Sequence, residues 1–208
     1  MGDAAALTLG LTRVYVITAN VPPHRPQPFA SSFHRFAMVS QAVAGRPGWR
    51  ALDLELRVAR PSYTSATLRD FHERGFEPHE LFFVLGADAF SDISAWRDYP
   101  DILAAAHFAV VSRPGYPVDR LPHRLPELRD RMMRPADERS MEEPAVILIE
   151  APTAAVSATT IRQRRAAGES IAGLVPPAVQ QHIEQHGLYT VMGSGRRAAD
   201  EARRPASE

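Results

Sequence analysis

The fold is decided by residues 81–88, which read Leu81-Phe82-Phe83-Val84-Leu85-Gly86-Ala87-Asp88. Five consecutive apolar residues that stop at a glycine are typical of a strand buried on both faces of a sheet. Three similar short apolar runs predict further buried strands over 14–17, 108–111 and 146–149. Segments with the apolar spacing of helices separate these runs. This alternation predicts an α/β protein with a doubly wound parallel sheet.

The segments between the strands supply the predicted helices and loops. Apolar spacing and end signals predict helices over 3–11, 32–44, 64–74, 98–106, 157–168 and 176–186. Alternation over 52–56 predicts a half-buried strand, and Thr64 or Ser65 is the predicted N-cap of the third helix. Residues 114–144, rich in Pro and Arg, predict a long and partly helical insertion. We therefore expect one domain over 1–190 and a disordered tail over 191–208.

The composition excludes several classes of protein. The chain has 208 residues, of which 45% are apolar, as in ordinary globular proteins. Lys plus Arg and Asp plus Glu both number 24, so nothing indicates a nucleic-acid surface. The sequence has no cysteine, which excludes disulfides and thiolate metal sites. With neither a signal peptide nor a long apolar run, the sequence predicts a cytoplasmic protein without a membrane partner.

Polar residues that follow the strands are the first candidates for a site, because ligands of such sheets bind beyond the carboxyl ends of the strands. Gly86 lets backbone approach a ligand, and the Asp88 carboxylate can accept from a ribose hydroxyl or an amine. The segment Ser157–Arg162 offers two hydroxyls, a helix N-terminus and a guanidinium, which suit a phosphate. The plainer alternatives are a strand-ending glycine with a capping aspartate, and an N-cap serine.

Three more segments carry groups of the same kind. Asn20-Val21-Pro22-Pro23-His24-Arg25 follows a predicted strand and offers donors for a phosphate or carboxylate, or else forms a rigid surface turn. Tyr63-Thr64 precedes a helix whose N-terminus attracts an anion, or else it forms a cap with a packed tyrosine. Trp96 either stacks on an aromatic ligand ring or belongs to the core.

Two histidines stand four residues apart on the last predicted helix. The residues around His182 and His186 do not form the zinc-protease pattern, and no third ligand is evident nearby. The sequence therefore predicts a solvated helix face here, and no metal site.

Taken in order, these segments resemble the bacterial nicotinate-nucleotide adenylyltransferases from about residue 9 to residue 189. The resemblance is carried by 20–25, Arg35 with Met38, 61–68, 86–88, Trp96, 112–116, 156–162 and 186–189. It implies a Rossmann-like nucleotidyltransferase fold. It also implies an enzyme of NAD biosynthesis that transfers the adenylyl group of ATP to nicotinate mononucleotide, giving deamido-NAD and pyrophosphate.

The resemblance assigns roles to particular residues. The residues that it places at ATP are Gly86, Asp88, Ser157, Thr159 and Arg162. Those that it places near the mononucleotide are Asn20, His24, Arg25, Tyr63, Thr64, Trp96 and Arg113. Mg²⁺ is the implied cofactor, accompanying ATP, and no protein ligand for a metal is predicted.

One departure from the family is large. The family's first strand, its Gly-rich phosphate loop and its His-x-Gly-His motif are missing, and none of the eight histidines lies in such a motif. No catalytic residue is therefore assigned. The resemblance predicts that roughly twenty residues, a strand with its loop and helix start, precede Met1. We expect the chain without them to be inactive or active only in trace amounts.

Two other functions stay open at this stage. One is a non-catalytic or truncated nucleotide-binding relative, which the missing histidine motif suggests. The other is an adenylyltransferase with a different acceptor, such as nicotinamide mononucleotide or phosphopantetheine. The sequence also leaves the oligomeric state open, a homo-oligomer included.

Overall fold

The computed structural model describes residues 1–22, 30–137, 140–152 and 156–190. Its α-helices are α1 (Gly2–Leu9), α2 (Ser32–Val43), α3 (Thr64–His72), α4 (Ala87–Phe90), α5 (Leu121–Arg124), α6 (Ala158–Ala166) and α7 (Pro177–Gln185). Its strands are β1 (Val14–Ile17), β2 (Trp49–Leu52), β3 (Phe82–Gly86), β4 (His107–Val111), β5 (Met132–Met133) and β6 (Val146–Ile149).

The contacts divide the chain into two compact units. The first, which we call the sheet unit, comprises Met1–Val14 and Ser62–Ala155. The second, which we call the helical unit, comprises Tyr15–Pro61 and the described residues from Val156 onward. The single domain over 1–190 stays a prediction, and the tail over 191–208 lies outside the described residues.

The sheet unit is built on a parallel sheet of four strands in the order β3-β4-β6-β5. Gly86 at the end of β3 pairs with Val111 of β4, which in turn pairs with Ile149 of β6. The three strands therefore end at the same level, and the residues after them emerge at one edge. The predicted parallel α/β fold is confirmed.

Both faces of this sheet are covered. Successive strand residues point to opposite faces, so Phe108 and Val110 of β4 pack with Phe90 on one side. Ala109 and Val111 pack on the other side with Ala5 of α1. Every residue of β4 and β6 is buried as a result. This explains why these strands read as unbroken apolar runs rather than as alternating ones.

The helical unit contains the two-stranded sheet of β1 and β2 and the helices α2, α6 and α7. Its core is formed by Ile161, Ile171, Val179 and Ile183, with Met38 of α2 packed against them. The predicted start and end of α7 are confirmed: Pro177 stands in the first turn, and left-handed Gly187 follows the C-cap.

Two predicted elements are wrong. The predicted strand over 52–56 is replaced by β2, which ends at Leu52, and by a 3₁₀ helix over Leu54–Arg57. Arg57 binds the Asp53 carboxylate at 2.9 Å, a local contact that favours the turn. The predicted helix over 98–106 is reduced to a 3₁₀ turn at Asp101–Ala104. The backbone of Asp98 is left-handed, so a right-handed helix cannot include this residue.

The described residues of the segment over 114–144 contain more regular structure than the sequence predicts. It contains two 3₁₀ turns and α5, as the prediction of partial helix requires. It also contains β5, which pairs with the start of β6 through Met132 and Val146. A strand of two residues is too short to show a periodicity, so the sequence could not reveal it.

Membrane spans are a separate question. The helix α2, with 12 residues, is shorter than the about 20 residues that a bilayer requires. In the described part of the chain no helix is long and apolar enough to span a membrane. The cytoplasmic location stays a prediction.

His107 is a buried polar residue at the start of β4. Its Nδ1 accepts from the Ala145 amide at 3.1 Å, and its Nε2 donates to the Met141 carbonyl at 3.2 Å. The ring stacks on Phe82 with 4.7 Å between centroids. Burial lowers the pKa of His107, and the hydrogen bond to Met141 raises it in part. Because Nδ1 accepts from an amide, these contacts favour the neutral imidazole.

We expect this burial to make folding pH-dependent. Because the pKa of His107 is lower in the folded chain, the unfolded chain binds more protons at this residue. The resulting contribution to the free energy of unfolding is fully present above the unfolded pKa of about 6.5 and is lost as the pH falls through the folded pKa. Urea unfolding midpoints at pH 7.5 and 5.5 should therefore differ more in the parent than in His107→Asn. His123→Gln, on an exposed residue, is the control. An identical pH difference in parent and His107→Asn would refute the assignment.

Candidate functional site

The carboxyl ends of β3 and β4 bring two predicted site residues together. Asp88 lies in the first turn of α4, directly after β3, and Arg113 follows β4 by two residues. Nη1 of Arg113 donates to Oδ2 of Asp88 at 3.2 Å, and each side chain is 35% exposed. The parallel pairing of the two strands produces this contact. It is a half-buried ion pair at the edge where ligands of such sheets bind.

Glycine is required at position 86 because the side chains of Asp88 and Arg113 lie too close for a Cβ, and not because of its backbone angles. A Cβ at this position would lie 2.3 Å from Oδ1 of Asp88 and 2.6 Å from Cδ of Arg113. Oδ1 of Asp88 is buried and has no hydrogen-bond partner among the described residues. An unpaired buried acceptor is unfavourable, so this oxygen is well suited to accept from a ligand.

The loop that carries Arg113 is held by a pair that the sequence analysis missed. The Ser112 hydroxyl donates to Oε2 of Glu150 at 2.7 Å and accepts from the Val118 amide at 3.3 Å. Glu150 directly follows β6, so its position after a predicted strand was the signal that could have found it. This pair fixes the backbone next to the Asp88–Arg113 contact.

Tyr63, Thr64 and Trp96 also belong to the sheet unit. Tyr63 is the N-cap of α3 and Thr64 its first residue, so the predicted cap at Thr64 or Ser65 is wrong. The Tyr63 side chain makes no capping hydrogen bond, because a tyrosine ring carries no acceptor close to the backbone. The guanidinium of Arg97 lies 4.6 Å from the centre of the Tyr63 ring. Arg97 was missed, although it adjoins Trp96 in the sequence.

Trp96 combines its two predicted interpretations. Its ring is half-buried and stands edge-on to Phe83, with 5.9 Å between ring centroids. It therefore packs against the core of the sheet unit while keeping part of its surface exposed. A ligand-stacking role for Trp96 stays a prediction.

In the helical unit, the start of α6 holds three predicted site residues. Ser157 is the N-cap, and its Oγ accepts from the Thr160 amide at 3.0 Å. Nη2 of Arg162 donates to Oγ1 of Thr159 at 3.0 Å. The capping role of Ser157 is confirmed, and two hydroxyls and a guanidinium lie at one helix start. That donor set suits a phosphate, and the binding itself stays a prediction.

The segment after β1 is organised by Arg35, whose role the sequence did not reveal. Its guanidinium donates to the carbonyls of Ala19 at 2.6 Å, Asn20 at 3.1 Å and Ala30 at 3.3 Å. The Asn20 side chain donates to the Val58 carbonyl at 3.0 Å. The predicted site residues His24 and Arg25 lie outside the described residues.

A second polar cluster of the helical unit joins His34 of α2 to two histidines at the end of α7. Nδ1 of His34 lies 3.1 Å from Nε2 of His182, and the ligand atoms of these two and His186 all lie within 4.8 Å of one another. Burial lowers the pKa of His182, and its two histidine neighbours lower it further. The sequence could not reveal His34 as a member, because 148 residues separate it from His182.

Two solved structures share the fold of this chain. They are of the Plasmodium falciparum nicotinic acid mononucleotide adenylyltransferase, complexed in one case with NaAD and in the other with APC. The first has a TM-score of 0.64 and covers 86% of this chain and 83% of that one. The second has a TM-score of 0.62 and covers 90% of each chain. Both are 16% identical in sequence, so they support the fold alone.

Sequence relatives identify the family. Residues 3–164 match the family described as cytidylyltransferase-like. The "Probable nicotinate-nucleotide adenylyltransferase" of Cronobacter sakazakii is 40% identical over 190 residues, which are 90% of this chain and 86% of that protein. The nicotinate-nucleotide adenylyltransferase of Escherichia coli strain CFT073 is 38% identical over 90% of this chain and 89% of its own. With relatives this similar over nearly its whole length, the chain belongs to the cytidylyltransferase-like family and, within it, to the nicotinate-nucleotide adenylyltransferases.

Proposed function

We propose that this protein transfers the adenylyl group of ATP to nicotinate mononucleotide, forming deamido-NAD and pyrophosphate in NAD biosynthesis. The observation that carries the proposal is the 40% identity, over 90% of the chain, to a protein named for that reaction. The paired Asp88 and Arg113, at the sheet edge where nucleotides bind in such folds, support it.

The reaction needs no nucleophile from the protein. A phosphate oxygen of the mononucleotide forms a bond to the α-phosphorus of ATP, and the bond between the α-phosphorus and the bridging oxygen breaks. Pyrophosphate leaves with the electron pair. The protein's tasks are in-line positioning and neutralisation of phosphate charge, with Mg²⁺ entering as part of the ATP complex.

We assign the nucleotide contacts of the sheet unit to Gly86, Asp88 and Arg113. The unpartnered Oδ1 of Asp88 accepts from a ribose hydroxyl of the nucleotide, and Oδ2 stays paired with Arg113. Gly86 lets the ligand and both side chains approach the backbone. Arg113 thereby orients Asp88 and adds positive charge to the same edge.

We assign recognition of the nicotinate group to Tyr63, Thr64, Trp96 and Arg97. The Tyr63 side chain does not cap α3, and the N-terminal amides of this helix attract a carboxylate. Arg97, stacked on Tyr63, adds a cation that favours the same charge. The half-exposed Trp96 ring offers a surface for the pyridine ring.

We assign the phosphate contacts to the helical unit. Ser157, Thr159 and Arg162 bind phosphates of ATP through the start of α6. Asn20, His24 and Arg25 bind the phosphate of the mononucleotide, a role that rests on the family resemblance alone.

The decisive experiment compares acceptors. Nicotinate mononucleotide should bind and react at least about tenfold better than nicotinamide mononucleotide, because amide donors and Arg97 reward a carboxylate. We would measure Kd by calorimetry with this chain, and kcat/KM by chromatography of the dinucleotide with a chain that also carries the N-terminal residues that the family resemblance predicts. Arg97→Gln should reduce the preference without unfolding the chain, since its side chain is 59% exposed. A preference for the amide would favour the other acceptor, and binding without product would favour a non-catalytic relative.

Arg162→Ala should weaken ATP binding and leave mononucleotide binding nearly unchanged. The loss of a charge-assisted contact to phosphate should cost about 1.5–3 kcal/mol, or roughly 10- to 100-fold in Kd. Arg164→Ala is the matched control on the same helix, because the Arg164 guanidinium contacts Glu169 at 3.4 Å and the Ser170 carbonyl instead. An equal effect of the two substitutions on ATP binding would show that Arg162 acts only through the helix.

A further inference from the structure

Three histidines of the helical unit converge from distant parts of the chain. His182 and His186 are one turn apart at the end of α7, and His34 stands in the first turn of α2. Their ligand atoms all lie within 4.8 Å of one another, and the pair from His34 and His182 lies at 3.1 Å. None of the three has a role in the proposed adenylyl transfer.

The short distances between the three imidazoles favour metal binding over protonation of all three rings. Three imidazoles this close cannot all be protonated, because each positive charge disfavours the next. Neutral imidazoles offer lone pairs, and zinc bound at 2.0–2.1 Å sets neighbouring nitrogens roughly 3.3 Å apart in a tetrahedron. The 3.1 Å pair is close to that edge. His186 is exposed, so its ring can rotate the short distance that closes the triangle.

We propose that His34, His182 and His186 bind one divalent transition-metal ion, with Zn²⁺ the best fit to three imidazole ligands. Histidines four apart on a helix place two nitrogens on one side of an ion, and His34 supplies the third ligand. The fourth position would be taken by water on the side where His186 is exposed. The order of metal affinities for nitrogen ligands predicts that Ni²⁺ and Co²⁺ bind as well, and more weakly than Cu²⁺.

The ion would cross-link α2 and α7. It links residues 148 positions apart, which constrains the unfolded chain more than a local contact does. It also fixes the start of α2, where Arg35 adjoins His34 and holds the carbonyls of Ala19 and Asn20. Metal binding should therefore stabilise the helical unit.

The test uses the full chain freed of metal with EDTA and dialysed. Co²⁺ titration should give the visible absorption of a tetrahedral site and saturate at one ion per chain, and Zn²⁺ should displace it. Zn²⁺ at about 100 times its Kd should raise Tm by about 5–10 °C. No visible band and no Tm shift would overturn the proposal and leave a hydrogen-bonded histidine cluster.

Single substitutions identify the ligands. His34→Gln, His182→Gln and His186→Gln should each weaken Co²⁺ binding on the order of 100-fold, whereas His123→Gln, on an exposed residue of α5, should not. His186→Gln should keep the parent Tm in EDTA, because its side chain is exposed, so its loss of binding cannot come from unfolding. Unchanged binding in His34→Gln, or an equal loss in His123→Gln, would contradict the three-histidine site.

Discussion

Gly86→Ala should remove most of the nucleotide binding while the chain stays folded. The new methyl group would stand 2.3 Å from Oδ1 of Asp88 and 2.6 Å from Cδ of Arg113. Both contacts are with side chains, so the backbone can stay in place while the ion pair is driven apart. We expect ATP to bind roughly 10- to 100-fold more weakly, with a stability loss of about 1–2 kcal/mol from the overpacking.

Calorimetry with ATP and urea unfolding would measure the two effects separately. Asp88→Asn, which keeps the shape and removes the charge, is the matched comparison. If both substitutions act through the same contact, the double variant should bind ATP no worse than Gly86→Ala alone. Parent-like ATP binding by Gly86→Ala would remove this edge of the sheet from the site.

Arg35→Met should be the most destabilising of the substitutions considered. The arginine donates to three carbonyls, at Ala19, Asn20 and Ala30, and methionine keeps most of its length without any donor. Burial lowers the pKa of Arg35, yet a guanidinium stays charged at neutral pH. Hydrogen bonds from charged donors contribute about 1.5–3 kcal/mol each and are not additive, so we expect a loss of about 3 kcal/mol.

Urea unfolding at pH 7.5 would measure this loss. Arg50→Met is the control, because Arg50 is exposed and donates to a single carbonyl, that of Trp49, at 2.9 Å. It should change the unfolding free energy by less than about 0.5 kcal/mol. Nicotinate mononucleotide should also bind more weakly to Arg35→Met, since Asn20 lies in the segment that the arginine holds. Equal unfolding midpoints for the two variants would show that the hydrogen bonds of Arg35 do not stabilise the folded chain.

Three of the four strands of the main sheet could be predicted from the sequence, because both faces of that sheet are covered. Apolar residues make up almost all of Phe82–Gly86, His107–Val111 and Val146–Ile149. The run over 14–17 has the same pattern, but its predicted burial is wrong: β1 is only half-buried and pairs with β2 in a separate sheet. The alternation over 52–56 misled, because the Asp53–Arg57 ion pair favours a tight turn that a period-two pattern cannot distinguish from a strand.

The candidate site could be predicted only where its residues adjoin strands or helix ends. Asp88 and Ser157 stand directly after or before a regular element, so their positions follow from local pattern. Arg97 and His34 act through partners far away in the sequence. Contacts of that kind arise from the packing of the whole unit, which no local spacing encodes.

Because β4 and β6 are completely buried, the residues that stabilise the fold are different from the residues that contact a ligand. Each side chain in these strands supports a packed layer on one face or the other, so drift there is penalised whatever the ligand. Arg113 and Glu150, just beyond these strands, are half-buried and exposed respectively and support no such layer. Substitutions at Arg113 or around it can therefore change the substrate during evolution while the fold is kept.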